Sequence, residues 1–66
     1  MTRWRANNGE KFFAVNSYGH VEHFTDNHLY FDDELYDAGN YFRTREQASE
    51  VALQIRALLK KNMATP

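Results

Sequence analysis

The residues with the most chemical potential are His20-Val21-Glu22-His23, whose donor types are those of a zinc site. On a β-strand, however, positions three apart point to opposite faces, so His20 and His23 do not share an ion. His28 stands alone in a polar turn, and with no cysteine to complete a ligand set the histidines read as structural, with no metal and no cofactor implied. Asp32-Asp33-Glu34 with Asp37 would attract calcium or a cationic partner, but the alternating oxygen ligands and central glycine of a calcium loop are missing. They read as a solvated acidic face. Tyr30, Phe31 and Tyr36 flank these acids, and aromatics beside charge suit a compact protein-recognition patch. Ser17, the one obvious serine near the sheet, falls in a turn without a base and orienting group, and there is no glycine-rich phosphate loop. So short a chain is also ill-suited to build a pocket of the usual ~300 Å³. An enzyme is therefore not expected.

A second constellation is basic. Arg43, Arg45, Arg56, Lys60 and Lys61, with Tyr41 and Trp4 nearby, carry the two ingredients of nucleotide or nucleic-acid binding, a ring to stack on and guanidinium groups for phosphate. The formal charge of −1 hides an asymmetry. Residues 1–37 hold three basic and seven acidic side chains, and residues 38–66 five basic and two acidic. Five cations spread over a strand and a helix, beside an acidic half, make a thin electrostatic footprint, so nucleic acid ranks below protein as a partner.

These groups must be positioned by few elements. Lys11-Phe12-Phe13-Ala14-Val15-Asn16 is aromatic and β-branched between turn signals, which predicts a strand. Asn16-Ser17-Tyr18-Gly19 fits a type I turn with Gly19 left-handed as a bulge. That loop pairs Asn16 with His20 and Val15 with Val21, making Val21 to Thr25 the second strand. Phe13, Val15, Val21 and His23 then share the expected core face, and Phe12, Ala14, Glu22 and Phe24 the other. Leu29-Tyr30-Phe31 is β-prone and predicts a third strand or extended segment, with Asp32-Asp33-Glu34 opening either a helical turn through Ala38 or a solvated loop. Gly39-Asn40 is a turn, and Tyr41-Phe42-Arg43 a short strand. Thr44 with Gln47 three residues on is a capping box, and Ala48, Val51, Ala52, Ile55, Leu58, Leu59 and Met63 recur at helical spacing, predicting a helix from Arg45 to about Asn62.

Sixty-six residues with one Trp, four Tyr and five Phe make a single domain, near the size where only about 60% of the chain's surface can be buried. The expected fold is α+β: a small antiparallel sheet of three to four strands over about 4–43, and one amphipathic C-terminal helix on one of its faces. With no cysteine, no signal-like run at the amino end and no stretch near the ~18 apolar residues of a membrane span, a cytoplasmic protein is expected.

Trp4, Gly9-Glu10-x-Phe12, and Gly39-Asn40-Tyr41-Phe42-Arg43-Thr44-Arg45-Glu46-Gln47-Ala48 resemble the pattern of a broad group of small, mostly uncharacterised bacteriophage and prophage proteins. Their pattern runs Trp, Gly-Glu-x-aromatic, an aromatic hairpin, then Gly-Asn-x-Phe-x-Thr-x-Glu-x-Ala into a helix, and it spans most of residues 4–59. An arginine often found in that group four residues before the glycine is Leu35 here, so its role does not carry over. The resemblance implies a phage-associated accessory protein, a class that includes inhibitors of host machinery and of bacterial defence. The resulting expectation is a non-enzymatic protein that binds a host protein through Tyr30, Asp32, Asp33 and Tyr36. Phe12 and Phe24 join them if the sheet's second face is open, and a homodimer through that face is then expected. The alternative is a nucleotide-like ligand on Arg43, Arg45, Tyr41 and Trp4.

Overall fold

A computed structural model describes residues 3–63, except the side chain of Met63. The order of elements is β1 (Lys11–Val15), β2 (Val21–Thr25), α1 (Tyr30–Ala38) and α2 (Arg45–Met63). The fold is α+β, with a sheet of two antiparallel strands and two helices where three to four strands and one helix were expected.

The hairpin has the predicted register: Val15 lies opposite Val21, Phe13 opposite His23 and Phe12 opposite Phe24. The Asn16 N–H donates to the His20 carbonyl at 2.9 Å, the Gly19 N–H donates to the Asn16 carbonyl at 3.0 Å, and Gly19 is left-handed at φ 81°. The left-handed φ requires glycine here, and so does space. A Cβ on Gly19 would fall 2.4 Å from Cγ of Arg56, because the turn presses against α2.

Tyr41-Phe42-Arg43 is reduced from a strand to a single bridge. Phe42 exchanges both backbone hydrogen bonds with Phe13, at 2.8 and 2.9 Å. Next to it, the Asn40 side chain accepts from the Val15 N–H and donates to its carbonyl, both at 2.7 Å, imitating a paired backbone unit. Residues 40–42 thus line the free edge of β1, an edge that would otherwise offer unpaired groups to another chain.

Of Leu29-Tyr30-Phe31, only Leu29 is extended (φ −88°, ψ 169°), as the residue before the first turn of a helix. The segment opens α1, which ends at Gly39 (φ 84°), where the Gly39 and Asn40 N–H groups return to the carbonyls of Tyr36 and Leu35. The two N–H returns after a left-handed glycine form a Schellman stop. In α2 the Thr44 hydroxyl accepts from the Gln47 N–H at 3.2 Å as predicted, while the Gln47 side chain reaches back to the Arg43 N–H instead of that of Thr44.

Both faces of the hairpin are packed, which corrects the expectation of one open face. Val15 on one face meets Ala48 and Ala52 of α2, with Phe13, Val21, Phe42, Val51 and Ile55 around them. On the other, Phe12 and Ala14 are buried with Ala6 and Tyr41, under Trp4, Phe24, Leu35 and Tyr36. A hairpin alone is at best marginally stable, so these two half-cores are what hold it.

Candidate functional site

The sheet's second face is closed by Tyr41, whose ring stacks on Phe12 with centroids 4.1 Å apart and meets Trp4 at 5.5 Å and, edge-on, Tyr36 at 5.2 Å. A buried phenol needs a partner for its hydroxyl. Here the hydroxyl donates to Oδ2 of Asp26 at 2.5 Å and accepts from the Ala6 N–H at 2.9 Å. Asp26 is wholly buried, and its carboxylate also receives Nε of Arg5 at 3.0 Å and the N–H of His28 at 2.8 Å. The last contact is a local Asx-turn, and it accompanies a left-handed His28 at φ 56°. Arg5 spans onward to Asp33, 2.7 Å away.

Burial pushes the Asp26 carboxyl up, but the hydrogen bonds from Arg5, Tyr41 and the His28 N–H together outweigh it and hold the group at about 2, below its ordinary 3.8. The same contacts act on the partners. Hydrogen bonding to Asp26 and Asp33 raises Arg5, and burial followed by the bond to Asp26 raises Tyr41. No buried side-chain polar atom among the described residues lacks a partner. Arg5, Asp26 and Tyr41 therefore serve as a clamp between the amino-terminal segment, the loop before α1 and the segment before α2.

This clamp decides which of the predicted site residues are available. Asp32 is buried and caps the loop, accepting from the N–H groups of Asn27 at 3.0 Å and Leu29 at 3.3 Å, so it is not a surface carboxylate. Asp33 is exposed but engaged by Arg5. Tyr36 is half-buried with the guanidinium groups of Arg3 and Arg5 over its ring at 3.9 and 4.8 Å, and Arg3 also donates to its carbonyl. Phe12 is fully buried and has no surface to offer a partner. Phe24 is half-buried between Phe12 at 5.6 Å and Phe31 at 5.5 Å.

In the basic constellation, Arg43 lies 5.7 Å over the Trp4 ring, but Arg45 lies over Phe13 at 5.2 Å, and Tyr41 is buried. Arg43, Trp4 and Tyr41 therefore lie side by side, Tyr41 beneath the surface, while Arg45 is placed on Phe13 instead. Among the described residues there is neither a pocket nor a group of three or more His, Asp or Glu placed to hold a metal ion.

What remains open is the start of α1. Leu29, Tyr30 and Phe31 are consecutive, apolar and 63%, 78% and 53% exposed. Tyr30, Glu34 and Asp37 recur at i, i+4 and i+7, so one exposed helical face carries the tyrosine followed by two carboxylates. Tyr30 was singled out from sequence. Leu29 was missed, because as part of an assumed strand it had no reason to be outside. Its signal is that leucine is a poor helix N-cap, used here without any side-chain cap bond of its own. Comparison with protein-family models, with curated proteins and with solved structures finds no match to the chain.

Proposed function

We propose that the chain is a non-enzymatic binding protein, associated with a phage or prophage, that engages a host protein through the amino end of α1. The observation that supports this most is the contiguous exposure of Leu29, Tyr30 and Phe31 on a helix whose start is fixed from behind. Asp32 ties the backbone of residues 27 and 29, Asp33 is tied by Arg5, and Phe31 rests on Phe24. A rigid aromatic anchor loses little conformational freedom on binding, and a charged rim adds orientation, which are the ingredients of a protein interface hot spot. With Glu34 and Asp37 on the rim, the complementary partner surface is apolar and basic. The phage association rests on the resemblance of Trp4, Gly9-Glu10-x-Phe12 and Gly39 to Ala48 alone.

The test is capture from bacterial lysate by the tagged chain in three forms: wild type, a Leu29→Ser/Tyr30→Ser double variant, and Arg43→Glu. The expected result is a host protein retained by wild type and by Arg43→Glu and lost with the α1 variant, with the same pattern when that protein is purified and rebound. Retention indifferent to the α1 variant overturns the reading. Stabilisation of the wild type by nucleotides that disappears in Arg43→Glu would put the Arg43–Trp4 pair in its place.

A further inference from the structure

Apart from Tyr18 and Leu53, each exposed singly, a second exposed apolar surface lies at the far end of the molecule. The early part of α2 packs on the hairpin through Ala48 and Ala52, and the helix reaches the hairpin turn at Arg56, whose guanidinium donates to the Gly19 carbonyl at 2.6 Å. Beyond Arg56 the helix continues to Met63, roughly 10 Å at 1.5 Å per residue, past the end of the sheet. The periodic stripe that faces Val15 at Ala48 and Ala52 therefore runs out into solvent: Leu58 and Leu59 are 61% and 43% exposed. Lys60 is exposed beside them, in a last turn that is basic.

The two exposed ends are matched in chemistry and opposite in position. α1 begins just past the open end of the hairpin, where Phe31 touches Phe24, one residue from the end of β2. Leu58 to Lys60 project past its turn. One end is aromatic with an acidic rim, the other leucine-bearing and basic, and the apolar residues of both are exposed. Self-pairing of like ends gathers like charge, Glu34 and Asp37 against their copies or Arg56 and Lys60 against theirs, and is disfavoured.

We propose that the chain associates head to tail with a second copy, the Leu58-Leu59-Lys60 end of one protomer docking on the Leu29-Tyr30-Phe31 end of the next. The inference rests on the reading of the α1 end as a recognition surface and names this chain's own helix end as a ligand of the class it takes. Such a contact is heterologous and leaves one free end of each kind on every dimer, so growth past the dimer is built in. It also sets self-association against host-protein binding for the same α1 surface.

The experiment is analytical ultracentrifugation of the full chain over a range of concentrations in low and high salt. Expected is a mean mass that rises from 7.8 kDa past the dimer with concentration and falls back in high salt. The Leu29→Ser/Tyr30→Ser variant and a Leu58→Ser/Lys60→Glu variant each stay monomeric, with association about ten-fold or more weaker. Mixed in equal amounts they form a 1:1 dimer and stop there, since each supplies the end the other lacks. Circular dichroism checks that both are folded. If one is not, concentration-dependent amide shifts in the wild type, expected at residues 29–37 and 55–63, carry the same decision. A wild type monomeric throughout, a variant that dimerises alone, or shifts elsewhere overturns the proposal. Host-protein capture that still depends on Leu29 and Tyr30 leaves the function standing in that event, whereas capture indifferent to them with self-association intact removes the function and keeps the assembly.

Discussion

At the scale of single residues the molecule turns on Asp26, a fully buried carboxylate with three donors of different origin. Replacement by Asn keeps the shape but sets an NH₂ either against both Arg5 Nε and the Tyr41 hydroxyl, which share Oδ2, or against the His28 N–H at Oδ1, donor to donor, and removes the charge that Arg5 answers. The expected loss is about 1–3 kcal/mol, read from thermal or urea unfolding at neutral pH. Acid gives a second signature. Because the folded carboxyl titrates at about 2 and the free one at 3.8, its contribution is complete above about pH 5 and is lost progressively as pH falls toward 2. The Asp26→Asn protein lacks this part of the acid slope, so the stability gap between the two proteins narrows as pH falls through that interval. A gap constant across it would mean that Asp26 is not held in its ionised form by the fold. None of this was legible in the sequence beyond the local turn. Asp26-Asn27-His28 announces a break, but Arg5 lies 21 residues upstream and Tyr41 15 downstream, separations that no local pattern encodes.

At the scale of elements, legibility follows how local the determinants are. The hairpin was readable because Asn16 and Gly19 specify the turn and the turn specifies the register. The start and length of α2 were readable from Thr44, Gln47 and a long apolar stripe, but not where the stripe loses its sheet, since that depends on where the hairpin ends. For α1 the helical alternative from Asp32 through Ala38 holds, but its start is the reverse case. Leu29-Tyr30-Phe31 has local strand preference, and tertiary anchors override it: Asp32 caps the backbone before it, and Leu35 and Tyr36 find the aromatic cluster behind it. An element built this way carries residues that its own stability does not favour. Leu29 occupies the N-cap, where a serine side chain would accept from a helix N–H while Asp32 continues to accept from the residue-29 N–H. Leu29→Ser alone is therefore expected to leave the fold unharmed or raise its stability by up to about 1 kcal/mol, measured by thermal unfolding. Partner binding and self-association should both weaken in the same protein. A clear destabilisation would assign Leu29 to the fold and take the central support from the α1 surface.

For the whole molecule, the decisive feature is that a two-stranded sheet is enclosed on both sides by structure from along the chain, the amino-terminal segment with α1 and Tyr41 on one face and α2 on the other. A chain this short has little stability to spare, so the loss of either half-core should be felt globally. Phe12 and Phe24 separate this architecture from one in which the second face awaits a partner, because they sit opposite each other on that face with their rings 5.6 Å apart. Phe12 lies under Tyr41 and is fully enclosed, whereas Phe24 is only half-buried at the margin. Phe12→Ser forfeits apolar burial and leaves a cavity with a hydroxyl in it, a penalty of about 3–5 kcal/mol by analogy with phenylalanine truncation in cores. That is most or all of the stability of a small domain. The expected outcome is a protein unfolded or nearly so at room temperature by circular dichroism, while Phe24→Ser folds with a lowered melting temperature. A well-folded Phe12→Ser monomer would show instead that the second face is dispensable to the fold, and the interface would then have to be sought on it and not at the start of α1.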